Sequence, residues 1–147
     1  MSNHDCIFCK IVKGEIPSYK VYEDDDFMAI LDAFPAYKGH SLIIPKKHYQ
    51  DIFDMPEDLA GKAMQIGKKI ATAMENSLDA DGYNFVQNNR EFSGQVVMHY
   101  HLHVIPRYKD MSEPGVEYAL HGKKRYEPSD KEKKETAEVI KNASQII

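Results

Sequence analysis

The chain has 147 residues, 42% hydrophobic and 29% charged, which suits one domain with its own core and leaves no room for a second full domain. Its formal net charge is −4 with histidine neutral, and no run of lysine and arginine is long enough to track a phosphate backbone, so nucleic acid is a poor partner. No stretch approaches a membrane span. MSNHDCIFCK lacks the basic start and unbroken apolar run of a signal peptide, and both cysteines, Cys6 and Cys9, form one CxxC, so a cytoplasmic setting with metal or redox chemistry is expected.

Ile7, Phe8, Ile11 and Val12 have helical spacing that stops at Gly14, so CIFCKIVKGE reads as a short helix carrying both cysteines. KVYE (20–23) and FMAILDA (27–33) are rich in β-formers and flank Asp24, Asp25 and Asp26, a hairpin signature; SLIIP (41–45) is a third strand. Pro56, Glu57 and Asp58 open a long helix in which Leu59, Ala63, Ile66, Ile70 and Ala73 step along one face. YNFVQN (83–88) and VVMHYHLHVI (96–105) read as two more strands, joined by a short polar segment that favours antiparallel pairing. A polar excursion with Pro114, Gly115, Gly122 and the basic Lys123, Lys124 and Arg125 follows. Ser129 and Glu132 have capping-box spacing before a charged helix whose apolar side is only Ala137, Ile140 and Ala143; such a helix needs a docking surface, which a partner subunit could supply. The predicted class is α+β: an antiparallel sheet with one long covering helix, a short N-terminal helix and a C-terminal helix.

Within MHYHLHVI, alternation in a strand places His99, His101 and His103 on one face about 7 Å apart. Met98, Tyr100, Leu102 and Val104 form the opposite, core-facing side. One chemical reading is a three-histidine catalytic zinc site, but parallel imidazoles on one strand splay too far apart to converge on an ion. The other is nucleophilic: crowded imidazoles resist protonation, and a neutral ring nitrogen can attack phosphorus through a labile phospho-imidazole.

HYHLHVI resembles the histidine triad, or HIT, motif of nucleotide hydrolases and transferases, and residues 5–108 also resemble the Hint-type branch in its bacterial form with a CxxC zinc site. The resemblance implies a single HIT domain over 1–147, with 109–147 as a C-terminal extension. It implies His101 as nucleophile, oriented by a backbone carbonyl, and His103 against the phosphate oxygens. It places Asp32 on the ribose hydroxyls and assigns Ile7, Phe8, Ile11, Ile30 and Leu31 to the base slot. Asn88 matches an amide near ribose or phosphate, Gly94 allows close backbone approach, and Gln95 and Val97 line the same edge. Val96 stands where a serine is frequent in the Hint branch, which removes a hydroxyl near the phosphate or leaving group.

The CxxC spacing suits a structural zinc needing two further N or S ligands, for which His48 and His99 are the candidates. Relatives with this feature bind zinc through two cysteines, an upstream histidine and the first triad histidine, which here implies Cys6, Cys9, His48 and His99. A thioredoxin-like use lacks the preceding strand and following long helix, and unligated buried thiols are the bland alternative. His4, His40 and His121 are expected on the surface, and Lys46 and Lys47 in solvent.

The resemblance implies hydrolysis of purine nucleoside 5'-phosphoramidates to the 5'-monophosphate, with no metal needed for the chemistry, by a homodimer whose sheets join edge to edge. The alternatives are a nucleotide-responsive binding module, a dinucleoside polyphosphate hydrolase and a zinc hydrolase.

Overall fold

The computed structural model describes residues 5–122 and 125–146. His4, Lys123 and Lys124 lie outside the described residues. Cys6 caps α1 (Ile7–Val12), its sulfur accepting from the Cys9 N–H at 3.4 Å. The hairpin of β1 (Lys20–Glu23) and β2 (Phe27–Leu31) turns on Asp24, whose Oδ1 accepts from the Asp26 and Phe27 amides at 2.8 Å each, an Asx-type turn. β3 (Ser41–Pro45), α2 (Glu57–Ser77), β4 (Gly82–Val86), β5 (Leu102–Arg107) and α3 (Asp130–Ile146) complete the regular structure.

The strands form one antiparallel sheet in the order β1-β2-β3-β5-β4. Side-chain alternation divides its faces. Ala29, Leu31, Ile43, Leu102 and Val104 point into a core with Ala63, Ile66 and Ile70 of α2 and Ala137 and Ile140 of α3. Met28, Ile30, Leu42 and Ile44 point the other way, against Phe8, Cys9 and Ile11 of α1. A sheet covered on both faces explains why β2 and β3 are buried at every position instead of alternating apolar and polar.

Two expectations need correction. The last strand begins at Leu102 and not Val96, because residues 96–101 have no ladder partner: β3 pairs with β5 only from Ser41 to Ile43. The Tyr100 amide instead bonds the Tyr49 carbonyl at 2.7 Å. The C-terminal helix, capped by Ser129 Oγ on the Glu132 amide at 3.1 Å, finds its docking surface within its own chain, on α2 and β1. Tyr100, Leu102 and Val104 face the core as expected. Among the described residues no helix is long and apolar enough to cross a membrane.

Candidate active site

His103 is the triad member inside the sheet; His99 and His101 sit on the irregular segment leading into it. The three rings therefore do not form a straight row. His99 turns toward the cysteines, while the His101 and His103 rings pack with centroids 5.1 Å apart.

Hydrogen bonding fixes each ring's protonation. His101 Nδ1 lies 2.8 Å from the His99 carbonyl, which can only accept, so Nδ1 carries the proton and Nε2 keeps its lone pair. Burial holds the His101 pKa below the ordinary imidazole value, opposed by that carbonyl and by the Asp32 charge. A neutral ring with a free Nε2 is the state a nucleophile needs.

His103 has a partner that spacing did not reveal. His40, expected on the surface, is 3% exposed, and its Nε2 lies 2.9 Å from His103 Nδ1. The Ala36 amide donates to His40 Nδ1 at 3.0 Å, so the proton of neutral His40 must sit on Nε2 and point at His103. His103 Nδ1 then accepts, and His103 carries its own proton on Nε2. Burial, reinforced by the neighbouring imidazoles, lowers His40 to about 4 and His103 to about 3, so both are neutral at physiological pH. The same chain argues against a metal ion among Asp32, His40 and His103, whose ligand atoms lie within 4.8 Å of one another. Ligation through His40 Nε2 would force its proton onto Nδ1, against the Ala36 amide.

Asp32 closes this group. Its Oδ1 accepts from the Phe34 amide at 2.8 Å, and its Oδ2 is 3.6 Å from His40 Nε2. Burial raises its pKa, with the Phe34 amide and the two triad histidines opposing the rise.

Cys6, Cys9, His48 and His99 converge behind the triad with all four ligand atoms within 4.8 Å of one another. His99 Nδ1 lies 3.2 Å from the Cys6 sulfur and 3.5 Å from that of Cys9, and His48 Nδ1 lies 3.3 Å from Cys9. Tetrahedral zinc, with Zn–S near 2.3 Å and Zn–N near 2.0 Å, needs S···N separations of roughly 3.5 Å. His99 Nε2 donates to the Pro45 carbonyl at 2.9 Å, which leaves Nδ1 free as a ligand and orients the ring. Two soft sulfurs and two imidazoles, so arranged, fit a closed structural zinc site. Burial and Cys6 push the Cys9 thiol up to about 11, a preference that a bound cation reverses.

A profile of the HIT domain matches residues 13–110. The chain belongs to the HIT family. This HIT protein is 42% identical over 126 residues to Protein hit of Bacillus subtilis, covering 86% of each chain. It is 45% identical over 107 residues to adenosine 5'-monophosphoramidase HNT1 of Saccharomyces cerevisiae, covering 73% of this chain and 65% of the relative. Its fold matches the crystal structure of a zinc-bound histidine triad family protein from Mycobacterium smegmatis with a TM-score of 0.81 at 34% identity, covering 99% of this chain and 96% of that one.

The cleft of this HIT protein encloses about 550 Å³, with His40, His101 and His103 in its wall. Ile7, Phe8, Ile11, Ile30, Leu31, Asp32, Asn88, Gly94 and Val97 all line it, as does Val96 at the serine-frequent position. Gln95 does not. It is buried, its amide nitrogen donating to the Gln50 and Val97 carbonyls at 2.7 and 3.1 Å and its oxygen accepting from the Arg90 amide. Gln95 therefore braces the loop that carries Gly94, whose φ of 107° suits glycine. Lys133 of α3, outside the family match, also reaches the cleft and donates to the Ala33 carbonyl at 3.3 Å. His121 lines the same cleft and is exposed. Lys46 pairs with Glu23 at 3.0 Å instead of standing free in solvent.

Proposed function

We propose that the chain hydrolyses purine nucleoside 5'-phosphoramidates to the 5'-monophosphate through a nucleotidyl-histidine intermediate. The observation that carries this reading is the His99 carbonyl on His101 Nδ1, which leaves a neutral Nε2 open to the cleft beside the His103 N–H donor. In the first step His101 Nε2 bonds to the α-phosphorus as the P–N bond to the leaving amine breaks, the amine taking up a proton from solvent in the open cleft. His103 Nε2–H donates to a phosphoryl oxygen, where charge builds in the transition state. Water then attacks phosphorus, releases the 5'-monophosphate and restores His101.

Asp32 lines the same cleft and would accept from the ribose hydroxyls, and Phe8, Ile11 and Ile30 offer an apolar slot for the base. The adenosine named for the yeast relative supports the purine assignment. Cys6, Cys9, His48 and His99 would hold a structural zinc, which would tie α1 to the segment carrying the nucleophile. A cytoplasmic setting keeps those thiols reduced. β4 is one outer strand of the sheet, β1 being the other, and edge-to-edge pairing of two copies through β4 would cover it.

The test is intact-mass and peptide analysis of the chain quenched during turnover of an adenosine 5'-phosphoramidate. An adenylyl group should appear on the peptide bearing His101. Replacing His101 with Ala should abolish the label and lower turnover by at least about 10³-fold. A His101→Ala chain that turns over normally would remove His101 as the nucleophile, and a wild-type chain that binds nucleotide and never turns over would favour a nucleotide-responsive binding module instead.

A further inference from the structure

We propose that His99 couples the metal centre to the nucleophile, so that filling the cysteine–histidine site sets the position and tautomer of His101 and not merely the stability of the fold. The inference rests on the function proposed above for His101 and concerns what holds that residue in place. One residue carries both connections. The His99 ring presents Nδ1 to the Cys6 and Cys9 sulfurs, and its carbonyl, on the same short stretch of backbone, receives the Nδ1–H of His101 at 2.8 Å.

Two other polar residues of the cleft, His103 and Asp32, are fixed by strands. Leu42 pairs with His103 in the ladder, and Asp32 directly follows β2, its amide bonded to the His40 carbonyl at 2.9 Å. His99 and His101 have no such support, since the ladder starts at Leu102. Their segment is held by the Tyr100 amide on the Tyr49 carbonyl, by Gln95, by the Pro45 carbonyl on the His99 ring, and by whatever fixes His99 Nδ1. α1 is the second connection. Phe8 lies between the two cysteines and sets its ring edge-on against both His99, at 5.7 Å between centroids, and His101, at 5.1 Å. A helix of six residues does not hold itself in place, so ligation of Cys6 and Cys9 fixes where Phe8 stands.

With the four ligands unbound, the peptide between His99 and Tyr100 keeps the Tyr100 amide on the Tyr49 carbonyl as its one backbone tether, and about that bond the His99 carbonyl swings off the His101 proton. The His101 ring is then free to carry its proton on Nε2, the form that cannot attack phosphorus. A misplacement of about 1 Å at a reacting group lowers rates by roughly 10²-fold. Nucleotide affinity should fall too, through Phe8 and Ile11 of the base slot, but by less than the rate, because Asp32, Ile30 and Leu42 stay on or beside paired strands.

The experiment compares the zinc-loaded chain, the chelator-stripped chain, and His48→Asn and His48→Cys variants, with zinc content measured for each. His48 is a ligand outside the cleft lining, and cysteine in its place keeps a fourth ligand. Three quantities are read: the single-turnover rate of adenylyl-His101 formation, the Kd for adenosine 5'-monophosphate, and the His101 tautomer from long-range ¹H–¹⁵N spectra. Expected for the stripped chain and His48→Asn are adenylylation slowed by about 100-fold, a Kd within about fivefold of the loaded chain, and loss of the pure Nδ1–H form. His48→Cys with zinc bound should recover most of the rate. Full-rate adenylylation with an unchanged tautomer in a folded, stripped chain overturns the coupling. If stripping abolishes the cooperative melt, the folded His48→Asn chain decides: full-rate adenylylation with the wild-type His101 spectrum in that chain, its zinc measured as lost, overturns the proposal. Absence of label from the zinc-loaded chain overturns the proposed function instead, and the tautomer spectra still decide the coupling.

Discussion

Replacing His40 with Ala tests the tautomer chain that prepares His103. The imidazole links the Ala36 amide to His103 Nδ1, at 3.0 and 2.9 Å, in a site only 3% exposed. Its removal strands a buried donor and a buried acceptor, each costing about 1–3 kcal/mol, so a net destabilisation of about 2–4 kcal/mol is expected after partial entry of water. The catalytic effect is separable. Without the proton from His40, the neutral His103 ring can place its own on Nδ1, and the phosphoryl oxygen loses a donor. A hydrogen bond to a charged oxygen contributes about 1.5–3 kcal/mol, which corresponds to about 10- to 150-fold in rate. His40→Gln keeps an amide acceptor for Ala36 and a donor for His103, and should recover part of both losses. The assay is kcat and KM for an adenosine 5'-phosphoramidate alongside urea unfolding of each variant. A folded His40→Ala chain with wild-type kcat, or a wild-type spectrum showing His103 protonated on Nδ1, would refute this account.

Acid should destabilise the fold through the same pair. Burial sets His40 near 4 and His103 near 3, below the 6.5 of an unfolded imidazole, so the unfolded chain takes up protons that the folded chain refuses. Stability is therefore full above about pH 6.5 and falls as pH drops toward 4, with each group adding up to about 1.4 kcal/mol per pH unit to the slope. Urea titrations at several pH values should show a shallower slope for His40→Gln, and an unchanged slope would remove His40 from the explanation. Gly39→Ala should destabilise the fold by about 2–4 kcal/mol by thermal melt. Its φ is 93°, and a β-carbon there would meet Leu78 at 2.7 Å and Pro106 at 3.1 Å. Arg107→Lys should speed amide hydrogen exchange across 112–115. The guanidinium bonds Ser112 Oγ and the Glu113 and Gly115 carbonyls at 2.8 to 3.2 Å while lying over the Tyr37 ring, a geometry that an ammonium cannot reproduce. Unchanged protection there would show that the loop holds itself.

Much of the site was legible in the sequence because its chemistry is written in short spacings. The alternating histidines and the CxxC announced themselves within a few residues, Asp32 came only with the family resemblance, and all lie in or directly behind one cleft. Three things were hidden. The histidine segment reads as a continuous strand, yet strand formation needs a partner and β3 supplies one only as far as Ile43. Gln95 looks like a ligand contact, yet its amide is consumed by backbone groups of its own loop. His40 sits alone in GHSL, 63 positions from His103, with no motif to mark it.

The sequence by itself determined which chemical groups this protein owns and the face each strand would bury, because apolar alternation and ligand spacing are local properties. Only the tertiary structure decided which nitrogen of each histidine bears a proton. That depends on the carbonyl of His99 and the amide of Ala36, backbone groups that every residue has and that acquire meaning only from where the fold sets them. The antiparallel pairing of β3 with β5, with Leu42 opposite His103, carries His40 onto the same side of the sheet as His103.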